Sequence, residues 1–194
     1  MKPQFPHLDI HSHDMSRADK AVINLTPDDE IPSGAYCSVG VHPWEADKAT
    51  EVTFDRIVAM AQSESVVAIG ETGLDALKGP SIEVQQAVFE RHVAVSEQTG
   101  KPLIIHAVKT VSQIIALRCR LNPGQPWIIH GFRGKPQQAA ELLQHGFYIS
   151  LGERFNAQTA AMIPTDRLFF ETDESELPIE LIVENINTHR NATD

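Results

Sequence analysis

Apolar residues in this chain come in short runs separated by polar stretches of two kinds. Runs at Leu8 to His11, Ala21 to Leu25, Ala35 to Val41 and Val66 to Gly70 are followed by others at Pro102 to His106, Trp127 to His130, Phe147 to Leu151 and Leu168 to Glu171. Runs of this length, rich in Val and Ile and bounded by turn residues, read as buried strands. Between the later runs the apolar positions change to a helical period. From Ser81 to Thr99, residues Ile82, Val84, Val88, Phe89, His92, Val93 and Val95 approximate one face, and Gly100 supplies the stop. Val108 to Leu121, Lys135 to His145 and Phe54 to Ser63 read as helices in the same way. Strand and helix in alternation predict a parallel sheet with helical cover, and about eight strands predict an α/β fold closed as a TIM-type (β/α) barrel. The intervals Ser12 to Lys20 and Thr26 to Gly34 are too short for full crossover helices. The barrel is accordingly expected to be trimmed, with short or missing helices after its first two strands. With no internal repeat, low-complexity tract or Gly/Ser linker, residues 1–194 read as a single domain.

Composition narrows the class. A chain of 194 residues, 42% hydrophobic and 22% charged, is long enough to bury a core without disulfide or metal staples. No apolar run approaches the roughly 18 residues of a membrane span. Met1 to Ile10 holds two prolines, a lysine and an aspartate, and so lacks the pattern of a signal peptide. Cys37 and Cys119 form no Cys-x-x-Cys pair and read as free buried thiols of a reducing compartment. The expectation is a cytoplasmic protein with no membrane attachment and no obligate protein partner. A net charge of -10 opposes long-range attraction to phosphate backbones, which disfavours a protein that coats DNA. It leaves room for an enzyme acting on a nucleic-acid end, where a few local cations and metal ions outweigh the mean.

Nine histidines are the compositional oddity, and their placement carries the chemistry. In Asp9-Ile10-His11-Ser12-His13, the period of two along a strand puts both imidazoles on one face. Alone, such a pair is weak and reads equally as an incidental strand end. Glu71, His106, His130 and Asp173, however, each follow a later strand run. In a parallel barrel the C-terminal strand ends share one face, so these six groups converge at one mouth. Six polar groups buried without partners would cost several kcal/mol each, and cations are their natural partner. Four imidazoles and two carboxylates exceed a closed four-ligand structural site and point to two divalent ions with open positions.

At this point the sequence resembles TatD-like metal-dependent hydrolases, within the amidohydrolase-type barrels. The matching stretches are Asp9 to His13, Gly40-Val41-His42-Pro43, Ile69 to Asp75, Pro102 to His106, His130 to Gly134 and Glu171-Thr172-Asp173. The resemblance implies one ion held by His11, His13, Glu71 and Asp173, and another by Glu71, His106 and His130, with Glu71 bridging. It also suggests His42 as a phosphate or product contact, a position that reads equally as a hydrogen-bonded structural histidine before Pro43. Trp44 stands where a histidine is common, and the chain is shorter than typical members, as in a compact subgroup.

Two divalent ions suit phosphoester hydrolysis, because they can activate water and stabilise both attacking and leaving oxygens. Asp173 is assigned as the carboxylate that orients the water and takes its proton, with Glu71 second for that role. Lys109, Arg133 and Lys135 follow ligand positions on loops where a cation can hold a substrate phosphate. Asp9 and Asp75 are candidates for orienting a histidine from behind. Trp44 can stack on a base or simply pack, and His7, His92, His145 and His189 read as surface or core residues. Imidazole-rich sites favour zinc, manganese, iron or nickel over magnesium, while the resemblance suggests magnesium or manganese. There is no Gly-x-Ser-x-Gly elbow, phosphate-binding loop with its Gly-Lys-Ser/Thr ending, or dinucleotide fingerprint. The leading expectation is a two-metal phosphodiesterase or deoxyribonuclease of exonuclease type, acting on a nucleic-acid end or a small phosphoester. The alternatives are a deacylase or amidohydrolase, including one for aminoacylated RNA, and a non-catalytic metal-binding scaffold.

Overall fold

The computed structural model describes residues 2–191. Eight parallel strands close into a barrel in sequence order: β1 (Asp9–Ser12), β2 (Ala21–Leu25), β3 (Tyr36–Val39), β4 (Val66–Asp75), β5 (Leu103–Val108), β6 (Trp127–Ile129), β7 (Tyr148–Leu151) and β8 (Leu168–Phe170). The helices are α1 (Glu51–Met60), α2 (Ile82–Thr99), α3 (Val111–Leu121), α4 (Pro136–Gln144), α5 (Ala157–Met162) and α6 (Ile179–Asn191). The wall is trimmed where the short intervals require it. A single 3-10 turn, Met15–Arg17, joins β1 to β2, and no helix lies between β2 and β3.

Alternation along each strand divides two cores. Leu103 and Ile105 of β5, Trp127 and Ile129 of β6, and Ile149 and Leu151 of β7 pack in one cluster with Phe89, Ile114, Leu142 and Ile186 of the helices. Trp127 anchors it, edge-on to Phe89 at 5.2 Å and Phe147 at 5.8 Å between ring centres. Truncating a fully buried aromatic of this size typically costs about 3–5 kcal/mol. The opposite strand faces turn inward, and Ile128, Tyr148 and Phe169 cluster there with Ile10 and Phe5. Ile128 lies two residues before His130 and Phe169 two before Glu171, so this apolar layer is the floor beneath the polar mouth.

Several boundaries differ from the sequence reading; α1, for one, runs Glu51–Met60 and not Phe54 to Ser63. β4 runs on to Asp75, because Thr72 to Asp75 pair with Ile105 to Val108 of β5. Glu71 is therefore within a strand, not at its end. α3 starts at Val111, since Lys109 takes a left-handed φ of 59° and Thr110 forms the cap. α5 and α6 complete the wall after β7 and β8. Cys37 is buried, and burial pushes its thiol up to about 11; Cys119, expected to be buried, is exposed on α3. Among the described residues, no helix is long and apolar enough to cross a membrane.

Candidate metal centre at the barrel mouth

His11 of β1 and His13 just past its end do turn to one point. Their ring centres lie 5.0 Å apart, and their Nε2 atoms face the same carboxylate oxygen, Oε2 of Glu71, at 3.4 Å from His11 and 3.3 Å from His13. Asp173 closes this side, with Oδ1 4.0 Å from His11 Nε2 and 3.7 Å from His13 Nε2. Its placement comes from the backbone: Asp173 N–H donates to His11 O at 2.9 Å and His13 N–H donates to Asp173 O at 3.1 Å. Asp173 adopts a left-handed φ of 54°, which short polar side chains tolerate best after glycine.

The other oxygen of Glu71 faces a second group. Oε1 lies 2.8 Å from His106 Nδ1, 2.8 Å from His130 Nε2 and 3.2 Å from His42 Nε2. One carboxylate thus meets five imidazoles, two on one oxygen and three on the other. Glu71 is held from behind by its own N–H, which donates to Asn24 Oδ1 at 2.7 Å. Outer carboxylates brace the far nitrogens of two of these rings. Asp75 Oδ2 lies 3.2 Å from His106 Nε2, and Glu171 Oε1 lies 3.3 Å from His130 Nδ1. Each carboxylate accepts only, so each favours the tautomer whose lone pair points to the centre.

The electrostatics follow from this crowding. Burial alone would push the Glu71 carboxyl up, but His130 and the hydrogen bonds from the facing rings outweigh it and hold the group well below the usual range. Burial works against a charge on His130 as well, yet the carboxylates of Glu71 and Glu171 raise it well above an ordinary histidine. His13 is raised chiefly by its hydrogen bond to Glu71.

The donor set suits a cation. His11 is fully buried, and neither of its ring nitrogens makes a hydrogen bond, although Nε2 is aimed between two carboxylates. Groups of three ligand atoms lying within 4.8 Å of one another include His11–His13–Asp173, His11–Glu71–His130 and His42–Glu71–His106. Nitrogen and carboxylate donors of this kind suit transition metals.

The six predicted ligands come together. His42, read from sequence as a substrate contact, sits within this ligand group, brought to Glu71 by the pairing of β3 with β4. Glu171 was missed as a site residue, although its place two positions before Asp173 on the same run was a usable signal. Asp9 does not orient an imidazole. Its Oδ1 accepts from Thr172 N–H at 3.0 Å and its Oδ2 from Thr172 Oγ1 at 2.7 Å, so it ties β1 to the end of β8. Asp75 does back a histidine. Lys109 and Arg133 are exposed and line a cavity of about 430 Å³ with His106, His130 and Asp173, whereas Lys135 is exposed outside it. Beside it, Arg133 and Arg154 line a smaller cavity of about 130 Å³ with Asp173 and Glu171. Trp44 offers no free stacking face on one side, since Lys78 Nζ lies 3.3 Å over its ring. His92 is a core residue, accepting from Val41 N–H at 3.0 Å.

This arrangement can be set against known proteins. The sequence model of TatD-related DNases matches residues 11–179. The chain belongs to the TatD-related DNase family. Among TatD-related proteins, it is 32% identical over 154 residues to the 3'-5' ssDNA/RNA exonuclease TatD of Enterobacter lignolyticus, covering 71% of this chain and 57% of that protein. It is likewise 32% identical over 148 residues to an uncharacterized metal-dependent hydrolase of Bacillus subtilis, covering 71% and 58%. The chain thus spans under three fifths of the length of these relatives. The solved structure of a TatD homologue from Escherichia coli superposes with a TM-score of 0.75 at 20% identity, over 93% of this chain and 95% of that one, and shares its fold.

Proposed function

We propose that this chain is a two-metal hydrolase of phosphodiester bonds that acts on the end of a single-stranded nucleic acid. One observation carries the reading: the two oxygens of Glu71 face two separate ligand groups, His11 and His13 with Asp173 beside Oε2, and His106 with His130 at Oε1. The first group would hold one divalent ion and the second another, with Glu71 shared and His42 beside the second. Zinc and manganese fit the imidazoles best, and magnesium is the third candidate. When bound, such ions lower the pKa of water and neutralise charge on a phosphoryl group.

The chain's own residues divide the remaining work. Glu71 is 3% exposed and engaged on both oxygens, which suits a bridge and leaves it no capacity for a proton. Asp173 is 24% exposed at the cavity wall, where its carboxylate can orient a water and accept its proton. Lys109 and Arg133 stand over the same cavity as the groups that hold substrate phosphate. The name carried by the Enterobacter lignolyticus relative supports single-stranded DNA or RNA as substrate.

The test is protein stripped of metal and resupplied with zinc, manganese or magnesium. It is assayed on bis-p-nitrophenyl phosphate, end-labelled single strands and a panel of acyl esters. Phosphodiester cleavage dependent on metal is expected. Turnover of acyl esters alone, or no cleavage with any of the three metals, overturns the reading.

A further inference from the structure

We infer that Trp44 is a positioning residue for the ligand His106, acting through Asp75. Trp44 lies in the 3-10 segment Pro43–Lys48 that follows His42. Its indole N–H donates to Oδ2 of Asp75 at 2.7 Å, and that same oxygen lies 3.2 Å from His106 Nε2. The other nitrogen of His106, Nδ1, is the one turned to Glu71. A polar path thus runs from a half-exposed tryptophan to the centre through one carboxylate oxygen, beside ring contacts of Trp44 with His42 at 4.5 Å and with His106 at 6.1 Å. The rest of Asp75 is already fixed. Oδ1 accepts from Leu77 N–H at 2.8 Å and Lys78 N–H at 3.2 Å. Its backbone N–H and C=O are both taken by the side chain of buried Gln85, at 2.7 and 3.0 Å. Oδ2 is the one atom of this carboxylate shared between Trp44 and His106. Removing the indole N–H leaves Oδ2 one donor short and held only through Oδ1 and the backbone, so its grip on the imidazole, which fixes the tautomer of His106, weakens. Simple packing would need only the indole's area, and Lys78 and the ring of His42, 4.5 Å away, already supply contacts of that kind.

The inference rests on the proposed metal centre. The probe is zinc or manganese alone, titrated by calorimetry into stripped protein, for wild type, Trp44→Phe, Asp75→Asn and the double variant. Phenylalanine keeps most of the packing and removes the donor. Trp44→Phe is expected to weaken one metal-binding step about 10-fold or more, the scale typical of lost outer partners, with the metal-free unfolding midpoint unchanged. The double variant is expected to bind no more weakly than Asp75→Asn, because both substitutions cut the same path. Unchanged affinity in Trp44→Phe, or losses that simply add, overturns the inference while leaving the metal centre standing. Failure of wild type to bind either ion overturns the centre itself.

Discussion

Glu71 concentrates the chemistry into one side chain, and its replacement is correspondingly severe. Glutamine at position 71 keeps one acceptor and adds two donors that oppose the facing imidazoles. Glu71→Gln is expected to lower metal affinity more than about 100-fold, beyond the usual loss for an outer partner, and to abolish metal-dependent cleavage; calorimetry and the phosphodiesterase assay check both. His92 is a histidine of the other kind. It is fully buried, Nδ1 sits 2.8 Å from Val88 O, and burial pushes its pKa down to about 4. The unfolded chain, with a histidine pKa near 6.5, takes up this proton first as the pH falls. Stability from a neutral His92 is therefore complete above about pH 6.5 and lost progressively down to about pH 4. Between pH 7 and 5 it accounts for about 2 kcal/mol. Urea unfolding of wild type and His92→Gln at both values is expected to show that difference in pH sensitivity. Histidine identity alone does not separate these roles. As candidate ligands, His11 was legible through its spacing from His13, and His106 and His130 because each ends an apolar run; His92 was legible because it falls on a helix face. His42 was legible as a phosphate contact or a structural histidine and not as part of this cluster, since its nearness to Glu71 depends on how β3 pairs with β4.

Elements set these side chains through a close approach of backbone. At Gly73 the φ is +147°, and a Cβ there would lie 2.0 Å from the carbonyl oxygen of His106. Gly73→Ala must both strain β4 and push β5 away with His106. A loss of at least about 2 kcal/mol is expected by denaturant unfolding, with weakened metal binding in whatever remains folded. The position was hidden in the sequence, because Thr72-Gly73-Leu74-Asp75 has no apolar run and resembles a turn. The same limit explains the unpredicted helices. α5 has 6 residues, and α6 buries only Ile179, Ile182 and Ile186, too sparse a stripe to stand out. Strands β5 and β6 were plain because both of their faces are covered, which removes polar residues from Leu103 to Ile105 and Trp127 to Ile129.

Across the whole molecule, the charge distribution bears on substrate. The net charge of -10 repels a polyanion, and many exposed cations are spent in pairs such as Arg91 with Glu51 and Arg120 with Glu90. Arg133 and Lys109 have no ion pair among the described residues and stand at the mouth. Arg133→Gln is expected to raise KM for a single-stranded oligonucleotide several-fold while leaving bis-p-nitrophenyl phosphate nearly unchanged, and the oligonucleotide effect should shrink as salt is added. The barrel makes this geometry possible by bringing residues from both ends of the chain to one rim, as in the bridge between Ser12 and Asp173. The most direct measurement of that convergence is anomalous diffraction from crystals grown with zinc or manganese. Two peaks are expected, one bonded to Glu71 Oε2 with His11, His13 and Asp173, the other to Oε1 with His106 and His130. Peaks that avoid Glu71, or none at the mouth in metal-saturated crystals, would contradict this arrangement.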